Sequence, residues 1–160
     1  MEHLVHMIAP VYDKRSRYLI LGTMPSPKSR EVNFFYGNKQ IRFWKILAAV
    51  FGEAIGESRE EKVSFLLKNY IALWDVIAEC DIEGASDSSI KNVVPNDFSV
   101  LFQKTNITKI YTTGKTAYQL YQTLCFPKYG IPAEYLPSPS PANCAKRFEE
   151  MVSMYQVLSE

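Results

Sequence analysis

The chain has 160 residues, which favours one domain spanning 1–160 and is long enough to bury a real hydrophobic core. Its 47% hydrophobic and 22% charged residues suit an ordinary globular protein, and no apolar run approaches the ~18 residues of a membrane span. With 18 Lys+Arg against 17 Asp+Glu the net charge is +1, which excludes a global basic field but not a local basic rim.

The first residues lack a basic stretch followed by an apolar one, so no secretion signal is expected and a cytoplasmic location is the default. Cys80, Cys125 and Cys144 are too few and too far apart for a Cys₄ site, and read as buried thiols. His3 and His6 are the only histidines, both near the start. Neither a histidine triad nor a catalytic zinc site is expected from them.

In chain order, 17–22 reads as a short buried strand ending at Gly22, followed by a long loop through 36–40. Phe43, Leu47, Val50 and Phe51 repeat at helical spacing, and Gly52 supplies a stop. A second helix is predicted over 59–69, with Glu60 and Glu61 in its first turn, where they favour the dipole. The apolar run 71–76 predicts a second strand. The polar, serine-rich stretch 81–96 predicts a loop. A short helix is predicted to start at 95–97 and end near Phe102. Strand 109–112, helix 115–124 and strand 133–136 follow. The final helix carries Phe148, Met151, Val152, Tyr155 and Leu158 on one face.

Strands alternating with helices imply right-handed βαβ units and a mainly parallel sheet. Sites in such folds lie at the carboxyl ends of the strands, so the loops at 22–27, 75–92, 112–115 and 137–143 should converge on one edge.

Two of those loops have matching character. Gly22-Thr23-Met24-Pro25-Ser26-Pro27 and Leu136-Pro137-Ser138-Pro139-Ser140-Pro141-Ala142-Asn143 both leave a strand and are stiffened by proline. Stiff hydroxyl-bearing loops before a helix suit the binding of an anion. Phe35, Tyr36 and Asn38 combine aromatic faces with an amide, the types that hold a flipped base; the same aromatics suit a core. Asp75 ends an apolar strand, where a carboxylate needs a partner. It could meet a ligand, position a water, or cap a turn. Gly114-Lys115-Thr116 ends like a phosphate-binding P-loop, but Lys109 stands where the first glycine is required, which excludes a nucleoside triphosphatase.

Taken in order, the motifs resemble those of the uracil-DNA glycosylase superfamily, and within it the hypoxanthine (deoxyinosine) DNA glycosylase branch. The matching pieces are Leu21-Gly22-Thr23-Met24-Pro25-Ser26, Phe35-Tyr36-Gly37-Asn38 with Arg42-Phe43-Trp44, and Leu73-Trp74-Asp75-Val76. They continue with Gly84-Ala85-Ser86-Asp87-Ser88-Ser89-Ile90, Thr113-Gly114-Lys115 and the proline–serine loop at 136–143. The resemblance implies a three-layer α/β/α sandwich with a four-stranded, mainly parallel sheet. It implies a monomeric, monofunctional hydrolase of the N-glycosidic bond of a deaminated base in DNA, with no metal, cofactor or membrane partner.

It further implies that Gly22, Thr23, Met24, Pro25 and Ser26 hold the base, with Phe35 or Tyr36 stacking on it. Asn38 and Asp75 would be the catalytic pair, while Ser138, Ser140 and Lys115 grip phosphates and Asn143 faces DNA or caps the final helix. Two positions depart from the pattern: Met24 stands where many members carry Asp or Asn, and Ile41 where the hypoxanthine branch carries Asn. These departures open an alternative of another class, a nucleic-acid- or nucleobase-binding module of the same fold without turnover.

Overall fold

The computed structural model describes residues 2–6, 8–25, 29–30, 34–36, 42–83, 87–140 and 146–160. Its central sheet is built from β2 (Tyr18–Gly22), β3 (Ile71–Asp75), β6 (Lys109–Thr113) and β7 (Ala133–Leu136), in the order β3-β2-β6-β7. Every pairing in it is parallel, with Gly22 opposite Asp75, Leu21 opposite Thr112 and Thr113 opposite Leu136. Leu19, Ile20 and Leu21 are consecutive and all buried, as a strand covered on both faces requires.

Alternate residues feed two cores. Ile20, Leu73 and Tyr111 pack with α1 (Phe43–Phe51), α2 (Arg59–Lys68) and α6 (Phe148–Tyr155). Leu19, Leu21, Ala72 and Ile110 pack on the other face with Phe98, Leu101 of α3 (Ser99–Lys104), and Ala117 and Tyr121 of α4 (Lys115–Leu124). A short helix α5 (Phe126–Tyr129) leads towards β7. Helices therefore flank the sheet on both sides, as expected. At the start of α2, Ser58 Oγ accepts from the Glu61 amide at 3.1 Å, which satisfies one of the open N–H groups there.

A second sheet corrects the sequence reading. Residues 81–96 are not one loop: β4 (Ile77–Ile82) and β5 (Lys91–Pro95) pair antiparallel, and β1 (Glu2–Val5) lies on the far side of β4. Leu4, Ile77, Cys80 and Ile82 form its small core. Register shifts along β4 break the alternation that would have revealed a strand, and β5 buries little. The predicted final helix is also adjusted. Arg147 occupies the N-cap position of α6, and Asn143, offered as its cap, lies outside the described residues.

Only Val76 separates the end of β3 from the start of β4, so one tract of chain runs from the parallel sheet into the antiparallel one. The Val76 amide donates to Gly22 O at 2.8 Å and the Ile77 amide to Thr23 O at 3.1 Å, extending the ladder past Asp75. Asn96 Nδ2 donates to the carbonyls of both Asp75 and Ile77, at 2.9 and 3.2 Å. Cys80 and Cys125 are buried thiols; Cys144 lies outside the described residues. Among the described residues, no helix is long and apolar enough to cross a membrane.

Candidate active site

The parallel ladder brings Gly22 and Asp75 side by side at the carboxyl edge of the sheet. A methyl group on Gly22 would stand 2.5 Å from Asp75 Oδ1 and 3.2 Å from the Tyr36 hydroxyl, so only glycine admits both groups here. Asp75 is 4% exposed, and a carboxylate so placed needs a donor. His6 supplies it. Nε2–H donates to Asp75 Oδ2 at 2.8 Å, while Nδ1 accepts from the Ile8 amide at 3.2 Å. The acceptor role of Nδ1 places the proton on Nε2.

Tyr36 adopts a left-handed backbone conformation, φ 52°, which is uncommon for a bulky residue. Its ring stacks on Phe43, with centroids 3.8 Å apart and planes 12° from parallel. Its hydroxyl lies 3.1 Å from Thr113 Oγ1, which itself donates to Leu21 O at 3.4 Å, so the phenol is the donor to the threonine. Burial first, and the Asp75 charge second, push the phenol well above its usual range, so it stays a neutral hydroxyl at physiological pH.

Thr113 leads into Gly114, whose amide donates to Leu136 O at 2.8 Å. Gly114 has φ 96°, and a methyl there would stand 3.3 Å from Ser138 Cβ. The two strand ends therefore approach closely, and the proline–serine loop starts against the β6–α4 turn. That loop is held from several sides. Tyr155 of α6 donates to Pro137 O at 2.6 Å, and the Arg42 amide donates to Pro139 O at 3.1 Å. Inside it, the Ser140 amide donates to Ser138 Oγ at 3.2 Å.

The residues singled out from sequence fall into three groups. Gly22, Asp75, Tyr36 and Ser138 meet along one edge through the contacts above, and Ser140 and Lys115 lie beside them, Lys115 exposed at the start of α4. Phe35, at 2% exposure, belongs to the core, with Phe34 and the His6 ring as neighbours. Met24 packs on the small core of the second sheet, while Thr23 and Pro25 are buried beside it in sequence. Ser26, Asn38, Ile41 and Asn143 lie outside the described residues. His6 is the residue that the sequence did not single out. The available signal was the demand of Asp75 for a donor, which does not name one 69 positions away. Among the described residues no three His, Cys, Asp or Glu side chains gather as metal ligands would.

Comparison with known proteins agrees with this architecture. Residues 9–159 match the model of the uracil DNA glycosylase superfamily. The hypoxanthine DNA glycosylase of Methanosarcina acetivorans is 34% identical over 142 residues, covering 88% of this chain and 87% of that protein. Its counterpart from Methanosarcina barkeri is 34% identical over 93 residues, 58% of this chain and 59% of that one. The solution NMR structure of a candidate uracil DNA glycosylase from Methanosarcina acetivorans superposes with a TM-score of 0.79 at 32% identity, covering 96% of this chain and 97% of that one. The chain belongs to the uracil DNA glycosylase superfamily.

Proposed function

We propose that this protein is a monofunctional DNA glycosylase of base-excision repair that removes a deaminated base, hypoxanthine or uracil, flipped out of DNA. The observation that carries the reading is the unbroken run of contacts from Asp75 through Gly22, Tyr36, Thr113 and Gly114 to Ser138. It sets a buried carboxylate and a neutral hydroxyl beside a stiff, serine-bearing loop, at the sheet edge where α/β folds bind ligands.

The chemistry follows from that placement. As the C1′–N bond breaks, its electron pair leaves with the base and positive charge builds on the sugar. The backbone N–H groups of Thr23, Met24 and Ser26, with Asn38, would hold the departing base and stabilise its negative charge. Asp75 Oδ1, which lies beside Gly22, would face the sugar, where a carboxylate stabilises the cation and orients the water that adds to C1′. The water gives one proton to Asp75 or solvent, and the base takes one up. Ser138, Ser140 and Lys115 contact phosphates, which positions the strand without reading sequence. Phe35 serves by packing in the core against Phe34 and the His6 ring rather than by stacking on the base. The protein acts as one domain and a monomer, in the cytoplasm, with damaged DNA as its partner.

Oligonucleotides carrying one deoxyinosine or one deoxyuridine, single- and double-stranded, provide the test. Incubation followed by alkali is expected to cut the strand at the lesion. Intact strands for every deaminated base would overturn the reading.

A further inference from the structure

The N-terminal segment lies outside the sheet that forms the candidate site, yet it delivers a side chain onto Asp75. The His6 amide donates to Ala78 O at 2.6 Å, prolonging the β1–β4 ladder by one residue. Ile8 O accepts from Trp74 Nε1 at 3.1 Å, and Val11 exchanges backbone bonds with Leu73 in both directions at 2.9 Å. The segment is thus strapped across the end of β3. The His6 side chain is 1% exposed, with Phe35 and Trp74 as ring neighbours at 6.2 and 6.3 Å.

We propose that His6 is a positioning residue for glycosidic cleavage: its Nε2–H fixes Asp75 Oδ2 and so turns Oδ1 towards the space beside Gly22 and the Tyr36 hydroxyl. The inference rests on the glycosylase reading of that edge. A lone carboxylate can rotate about its Cβ–Cγ bond and present either oxygen. A donor that is itself held removes that freedom, because the Ile8 amide fixes the tautomer and two rings confine the imidazole. No proton moves through His6 in this role. The second sheet gains a purpose as well: it is the frame that holds His6 over the end of β3.

A double-mutant cycle tests this, with turnover and KM measured on a deoxyinosine oligonucleotide at a temperature where each variant is fully folded. His6→Asn, too short to reach Asp75 with an Nε2-like donor, is expected to lower kcat about tenfold with KM nearly unchanged, below the ~100-fold expected for Asp75→Asn. His6→Gln, which can place an amide N–H near the Nε2 position, should recover most of that loss. In an Asp75→Asn background His6→Asn should cost nothing further. Equal kcat for the His6→Asn and wild-type proteins, or the same loss in both backgrounds, would overturn the inference while leaving the glycosylase reading intact. Absence of excision by the wild type would instead overturn the reading, and the inference with it. Long-range ¹H–¹⁵N spectra of the wild type should show His6 as the Nε2–H tautomer, shifted on Asp75→Asn. A His6 signal indifferent to that substitution would remove the contact itself.

Discussion

At the scale of single residues, Gly22 and Asp75 are two halves of one requirement. The carboxylate oxygen occupies the place where any other residue at 22 would carry its Cβ. Gly22→Ala therefore forces either the strand end or Asp75 to move, and Asp75 is held by His6. The expected cost is about 1–3 kcal/mol of stability by overpacking, read by urea denaturation, with a larger fractional loss of excision. Asp75→Asn keeps the shape but removes the charge, and should lower turnover by about 100-fold or more while the protein still folds. Tyr36 shows how far a sequence can be read at this scale. Its aromatic type and its place beside Asn38 suggested a platform for a base, but nothing in the residue order reveals a positive φ or a ring already stacked on Phe43. What the sequence could not supply is which face of an aromatic is already used.

At the scale of elements, two polar side chains fix the pieces that frame the site. Asn96 satisfies two carbonyls where β3 turns into β4, and Tyr155 satisfies Pro137 O under the proline–serine loop. Replacing either leaves buried acceptors unpaired. Asn96→Ala and Tyr155→Phe should each cost about 1–3 kcal/mol, measured by thermal or urea melts. Only Tyr155→Phe should also weaken binding to duplex DNA, since it alone loosens the loop assigned to phosphates; fluorescence anisotropy separates the two. The buried strands of the central sheet were readable because burial on both faces leaves unbroken apolar runs such as 19–21. β4 and β5 were not, because a strand of the small sheet buries one face at most and β4 shifts register twice. Their pairing is also set by β1, far away in sequence, which no local pattern encodes.

At the scale of the whole molecule, buried acidic hydroxyls and thiols set a limit at high pH. Burial pushes the Tyr111 phenol from 10.0 up to about 12 and the Cys125 thiol from 9.0 up to about 11. The folded form therefore keeps protons that the unfolded chain has already released. The stability these two groups contribute is fully present below about pH 9, and is lost as pH rises through about 9 to 12. The urea midpoint should stay level between about pH 7 and 9 and fall by about pH 11; a level midpoint across that range would contradict the burial of both groups. A different vulnerability comes from β1. It has four residues, pairs with β4 along one side, and exposes Glu2, His3 and Val5. Short edge strands open far more often than whole proteins unfold, and their amides exchange with solvent accordingly. Each such opening releases His6 from the chain beneath it. Heat would then slow excision before the protein melts, and the amide exchange of residues 4–6, rather than the global transition, would track the lost turnover.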